Sequence, residues 1–273
     1  MNNNKFLSQG PKLMEEMTWL EVQELQKKTN TVIVSVGSYE QHGTHLPLAS
    51  DTLQALEIAK DAVKLLAEQD ITVAVGPAIP FGVNPGAMPY PGSITLKPDT
   101  LKTLLVEVCT SLKTHGFTNI ALVMGHDENL PAMTVAAQEL VHDHGMCVAT
   151  LNWLPYLKLH EKQVLDLKNA DGHGGAGETA RMLARFPELV DLASSRGYLP
   201  EKTLSAKEEL PYAGPPLLGG GVYNPAKDLP GFAPPEHPGI VGEPKMANAE
   251  AGEKAYEVTA EWVAEVIKRE FFS

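Results

Sequence analysis

The chain has 273 residues, 43% of them hydrophobic and 21% charged, with 22 basic against 34 acidic side chains and a net charge of −12. That length buries a sizeable core, and the balance excludes a disordered, collagenous or coiled-coil chain. An acidic chain with no basic run does not suit nucleic acid or an anionic membrane surface, and no apolar stretch approaches the roughly 20 residues of a membrane span. Two cysteines, Cys109 and Cys147, cannot form a disulfide framework and are expected to be buried free thiols. With a polar N-terminus that lacks an apolar signal core, they point to a reducing, cytoplasmic compartment.

The first two-thirds alternates strand-like and helix-like segments. A β-branched run at 31–38 reads as a buried strand. Ser50 and Asp51 then open a helix with a good capping residue. A second strand is expected at 71–80, followed by a Gly/Pro loop over 81–98. Asp99 opens the next helix, which Gly116 ends. A third strand spans 119–125. Asn129 and Pro131 introduce a helix that Gly145 ends, and a fourth strand covers 146–153. Strand and helix alternating at this spacing indicate a parallel sheet covered on both faces. The pattern breaks after 195. Residues 211–244 carry PPLLGGG, LPGF and PPEHPG, too apolar for a disordered linker and suited to ordered loops over a pocket or subunit contact. The last segment has a long helical period. No composition break divides the chain, so a single α/β domain over 1–273 is expected, loop-rich at about 196–245, with a C-terminal helix.

In parallel sheets, function collects just past the carboxyl ends of strands. The first strand is followed by Glu40, His42, His45 and Asp51, and the third by His126, Asp127 and Glu128. Trp153 follows the fourth. A Gly-rich loop running into a helix carries Asp171, Gly172, His173 and Glu178. Imidazole and carboxylate without thiolate suit Zn²⁺, Mn²⁺ or Fe²⁺. Glu40 and His42, two residues apart in an extended loop, point to opposite faces and so suit one ligand for each of two ions. Asp51 could bridge such ions, although helix capping by itself explains an aspartate there. His45 reads as a structural, hydrogen-bonding histidine. His142, His144 and His115 lie at helix C-termini, where a cationic group is favoured. Trp153 suits the pocket wall and core packing equally.

GSYEQHGTHLPLASD resembles the N-terminal signature of the creatininase (creatinine amidohydrolase) family. The likeness runs along nearly the whole chain: Thr18-Trp19 with Glu21-Val22, PGSITL at 91–96, GHDEN at 125–129, His173-Gly174-Gly175 with Glu178-Thr179, and GIVGEP at 239–244. The resemblance implies a three-layer α/β/α fold, a binuclear metal centre and a homo-oligomer, usually a hexamer. By position, Glu40, Asp51 and His126 would hold one ion, and His42 and Asp51 the other. Glu128 is expected to complete the set, with Glu178 as the alternate ligand. His173 would handle protons, with Glu128. Asp127, Trp153, Asp171 and Gly172 would face the substrate.

The cofactors expected are two divalent ions per chain (Zn, Mn or Fe), and the partner is a small-molecule substrate. The reaction expected is hydrolysis of a small cyclic amide, lactam or formamide C–N bond by a metal-bridging hydroxide. Residues 168–172 offer no aromatic, and Gly172 precedes His173 where the creatinine-hydrolysing members have an acidic residue. Both features point away from creatinine. The alternatives are ring or C–C cleavage of a carbohydrate-derived ketone at the same centre, and a non-catalytic scaffold or ligand sensor.

Overall fold

The computed structural model describes residues 11–160, 164, 172–198 and 238–273. Asp171, residues 168–170 of the loop before His173 and most of the Pro/Gly-rich stretch therefore lie outside the described residues.

Four parallel strands form the centre: β1 (Thr31–Val36), β2 (Ala74–Val75), β3 (Asn119–Met124) and β4 (Cys147–Leu151), in the order β2-β1-β3-β4. β1 is buried at every position, as a strand covered on both faces must be. Its side chains divide with the period of two. Val32, Val34 and Val36 join Ile120, Leu122 and Met124 in one core, whereas Ile33 joins Ala121 and Val123 in another. Helices α3 (Pro98–Thr114) and α4 (Leu130–His142) cover the first face. The second face packs against α2 (Ser50–Ala67) and the C-terminal α7 (Ala249–Phe272). The result is the expected three-layer α/β/α sandwich.

The remaining α-helices among the described residues are α1 (Trp19–Gln26), α5 (Leu154–Leu159) and α6 (Ala176–Arg185). α6 lies against α7 at Gly252, where a Cβ would stand 2.0 Å from the Ala180 carbonyl oxygen. Only glycine permits that approach.

Several expectations change. The strand read at 71–80 shrinks to Ala74–Val75 plus an isolated bridge from Val36 to Ile79. Pro77 has no N–H to give, so the ladder on this edge is broken at Gly76-Pro77. Cys109 is buried, and burial pushes its thiol up to about 12, but Cys147 is exposed because it opens the edge strand β4. Asp51 is not the cap of α2. Ala49 holds that position without a side-chain bond, and Asp51 lies inside the first turn. Asp99 likewise sits inside α3, which starts at Pro98. Asn129 precedes α4 but makes no cap bond; its buried amide is used elsewhere.

Candidate metal centre

The site forms where β1 and β3 end and α2 begins. A Cβ at Gly37 would lie 2.6 Å from the Thr52 Cα, and one at Gly125 would lie 2.8 Å from the Asp51 carbonyl oxygen. These two glycines let the first turn of α2 sit directly on the strand ends and deliver Asp51 between them.

The segment after β1 is pinned by the Gly/Pro loop over 81–98, which bridges back through Tyr39–Ile94 and Gly82–Thr95. Asn129 ties the same loop to the sheet: its Oδ1 accepts from the Val83 amide at 2.9 Å, and its Nδ2 donates to the Gly37 carbonyl at 2.8 Å. Asn84 Nδ2 donates to Ser38 Oγ at 2.7 Å, and that hydroxyl donates to Glu40 Oε2 at 3.4 Å. Glu40 is thereby aimed inward, buried, with its other oxygen free for the centre.

Two imidazoles face three carboxylates there. His42 donates its Nδ1 proton to the Glu40 carbonyl oxygen at 3.0 Å, and its Nε2 stands 3.0 Å from Asp51 Oδ1 and 3.5 Å from Glu178 Oε2. His126 donates from Nε2 to the Val83 carbonyl at 3.0 Å, and its Nδ1 stands 3.3 Å from both Glu40 Oε1 and Asp51 Oδ2. A carbonyl oxygen only accepts, so each ring spends its one neutral-state proton on it. The remaining nitrogens are then acceptors pointed at carboxylate oxygens, which are also acceptors. Only a bound proton or a cation holds such groups together.

Asp51 is shared, one oxygen toward each imidazole, and it is 4% exposed. Its Oδ2 is buried with no hydrogen-bond partner among the described residues. An orphaned carboxylate oxygen in this position costs free energy unless a cation meets it. Carbonyl-anchored imidazoles with carboxylates are also the donor set of Zn²⁺ and Mn²⁺ sites. Glu40, Asp51 and His126 offer ligand atoms within 4.8 Å of one another, and so do His42, Asp51 and Glu178. These residues have the donor types and spacing that could hold divalent metal ions.

Electrostatics agree. Burial pushes His42 down, but the Asp51 and Glu178 carboxylates overcome it and raise the imidazole to about 10. Burial likewise opposes the charge on His126, while Glu40 and Asp51 carry it well above the usual histidine range. Glu40 and Asp51 move the other way. Burial raises each, the facing imidazoles outweigh it, and both end below the ordinary carboxylate range.

The two candidates for the last carboxylate are placed differently. Glu178, in the first turn of α6, is held by the Gly174 amide at 2.7 Å and joins His42 and Asp51. Glu128 lies 4.0 Å from His126 Nε2, the nitrogen already committed to Val83, and it is in none of the ligand groups. Burial raises its carboxyl to about 7. His173 donates Nε2 to the Gln41 carbonyl at 2.7 Å, leaving Nδ1 3.5 Å from Glu40 Oε1 and its ring 4.5 Å from that of His42. His45 lies outside the cluster, its Nε2 2.9 Å from Thr179 Oγ1.

A cleft of about 260 Å³ opens onto this centre. Asp127, Trp153, Gly172 and His173 line it, beside Asp51, His126 and Glu178. Trp153 is buried and donates Nε1 to the Met124 carbonyl at 2.6 Å, so the tryptophan is both wall and core. Gly172 has backbone contact: a Cβ there would stand 2.7 Å from the Val241 carbonyl oxygen. Sequence reasoning missed Gln54 and Arg181, which also line the cleft. The available signal was spacing: each follows a candidate ligand, Asp51 or Glu178, by three residues on a helix.

The family model described as creatininase, creatinine amidohydrolase, matches residues 15–267. The chain is 28% identical over 247 residues to the mycofactocin precursor peptide peptidase of Mycolicibacterium smegmatis, covering 90% of this chain and 87% of that protein. It is 27% identical over 275 residues to the creatinine amidohydrolase of Pseudomonas putida, covering 94% and 96%. It is 25% identical over 276 residues to the 3-dehydro-scyllo-inosose hydrolase of Thermotoga maritima, covering 93% and 82%. The crystal structure of a putative creatinine amidohydrolase from Bacteroides fragilis superposes with a TM-score of 0.75 at 25% identity, covering 90% and 91%. A manganese creatininase and a zinc–zinc form of a creatininase variant each give 0.71 at 26% identity, covering 96% of this chain and 99% and 98% of theirs. The shared fold, the ordered motifs and the family match together place this chain in the creatininase family.

Proposed function

We propose that this protein is a metal-dependent amidohydrolase acting on the C–N bond of a small cyclic amide, lactam or formamide other than creatinine. One observation carries the reading: Asp51 is buried with one oxygen toward each of two carbonyl-anchored imidazoles, and Oδ2 has no hydrogen-bond partner among the described residues. Glu40, Asp51 and His126 would hold one divalent ion, and His42, Asp51 and Glu178 the other. Ions of this kind supply Lewis acidity and make water acidic enough to attack a carbonyl near neutral pH.

The chain's own groups do the rest. His126 and His42 are locked in orientation by their carbonyl bonds, so the donor set is preorganised. His173 is anchored at Nε2 and reaches the cleft, placed to carry a proton to the leaving nitrogen. Glu128, with a carboxyl raised to about 7, suits a second proton-transfer step near neutrality. Asp127, Trp153 and Gly172 face the substrate. The likeness to the Thermotoga inosose hydrolase supports a second reading, hydrolytic opening of a cyclic ketone at the same centre.

The test is elemental analysis of protein purified without chelator, beside Asp51→Ala. The expected parent holds about two ions per chain, and the variant fewer than one. A parent that takes up neither Zn²⁺ nor Mn²⁺ would overturn the proposal. Turnover of a lactam and formamide panel then separates the amide reading from the ketone one. The same reading makes the chain a homohexamer with a small-molecule substrate, and sedimentation equilibrium measures the assembly.

A further inference from the structure

One helical turn beyond the metal-facing carboxylates lies a second tier of polar groups. Asp51 and Gln54 are three residues apart on α2, and Glu178 and Arg181 are three apart on α6. Residues so spaced share a helix face about 4.5 Å apart along the axis. The upper tier faces the ions; the next is Gln54 and Arg181, and both line the same cleft.

Arg181 is unusual in its company. It is 5% exposed, yet no carboxylate pairs with it among the described residues. The neighbouring acids are taken: Glu57 and Asp61 bond Arg185. Arg181 donates Nε to Gln54 Oε1, and its guanidinium lies 5.2 Å from the centre of the Trp153 ring. Its terminal nitrogens have no hydrogen-bond partner among the described residues. Gln54 is 3% exposed, and its Nε2 is buried without a partner among the described residues. A buried cation that lacks its anion, beside an unused amide donor, is costly for a fold and useful for a ligand. A guanidinium fork with an adjacent N–H matches a carboxylate, which accepts two parallel bonds.

We propose that the cleft selects substrates bearing a carboxylate, which Arg181 and Gln54 bind one helical turn from the metal centre. The Trp153 face fixes the plane of the fork, and the short span requires a compact substrate with the scissile carbonyl close to the carboxylate. This rests on the amidohydrolase reading for what happens at the scissile bond, but not for the binding itself. The carboxylate can belong to a lactam acid or to a peptide C-terminus, since the chemistry recognised is the same.

Paired ligands test it by calorimetric titration of the metal-loaded protein: 5-oxoproline against 2-pyrrolidone, which differ only in the carboxylate, and a tripeptide with a free C-terminus against its C-terminal amide. At least one acid is expected to bind about tenfold tighter than its neutral partner, and the pair that discriminates more identifies the source. In Arg181→Met the ratio is expected to fall to about one, with metal content equal to the parent's. The midpoint of thermal unfolding should hold or rise, because the variant removes an unpaired buried charge; a purely structural arginine would lower it. No preference for either acid in the parent overturns the proposal. So does a preference that survives in Arg181→Met, because the carboxylate then sits on the ions. If that variant does not fold, Arg181→Lys, which keeps the charge and loses the fork, is expected to cut the ratio severalfold, and an unchanged ratio overturns the proposal. Titration of chelated protein separates the two readings: a chelated parent that keeps the ratio retains the carboxylate site, even if metal uptake fails.

Discussion

At the residue scale, His45 and His42 illustrate how one short segment assigns two histidines opposite characters. His42 faces Asp51 and Glu178 and is raised to about 10. His45 is 2% exposed, touches the Thr179 hydroxyl through Nε2 and leaves Nδ1 without a partner among the described residues. Burial, with the nearby His42 charge, lowers its imidazole to about 4. A histidine kept neutral in the fold and ordinary in the unfolded chain makes the unfolded state bind more protons below the usual value of 6.5. Its contribution to stability is therefore intact above about pH 6.5 and is lost as pH falls through about 4. The loss is on the order of 1–3 kcal/mol. His45→Gln, which keeps an amide near Thr179 and cannot titrate, is expected to flatten this acid limb. Urea midpoints at pH 7 and pH 4.5 measure it; a parent and variant that lose equal stability between those values would remove His45 as the cause.

At the element scale, the centre depends on how closely α2 approaches the sheet. Gly37→Ala would place a Cβ 2.6 Å from the Thr52 Cα, against backbone that cannot swing away. α2 must then shift and carry Asp51 with it. The expected result is a loss of roughly 1–3 kcal/mol in stability and a tenfold or greater loss of metal affinity, with no ligand changed. Metal affinity equal to the parent's, measured by competition with a chromophoric chelator, would show that α2 is not set by this contact. The elements themselves were legible because buried β-branched runs and the helical apolar period are strong signals, and the end of the sheet that carries the site follows from parallel topology. What stayed ambiguous has a physical cause. Aspartate in a first helical turn serves capping and metal binding equally well, so only the placement of Asp51 between His42 and His126 distinguishes them. The different placements of Glu128 and Glu178 were not legible either, because they depend on which imidazole nitrogen the Val83 carbonyl occupies. Arg181 was hidden for a related reason: a lone arginine on a helix reads as a solvated or paired residue until the partners of every nearby acid are known.

At the scale of the whole molecule, the three carboxylates and two imidazoles tie together β1, β3, α2 and α6 across the sequence from Glu40 to Glu178. Ions held there would bind the folded state and not the unfolded chain, and would so stabilise the fold. At a free metal concentration a hundredfold above Kd, the gain is about 2.7 kcal/mol for one site. In a chain of this size, removing it lowers the unfolding midpoint by roughly 5–10 °C. The size of the drop depends on pH, and its sign follows from the histidine. In the metal-free protein, protonated His42 partly replaces the missing charge. Because its folded value is about 10 against an ordinary 6.5, that contribution is fully present below about pH 6.5 and disappears as pH rises through 10. With a metal ion on the His42 nitrogen, as proposed, no such proton would be carried there and nothing would be lost over that range. The gap between loaded and chelated protein should therefore widen steadily from pH 6 to pH 9. Scanning calorimetry of both forms at constant ionic strength measures it, and a gap that is flat or narrowing would mean that protons and metal ions do not compete for the His42 nitrogen.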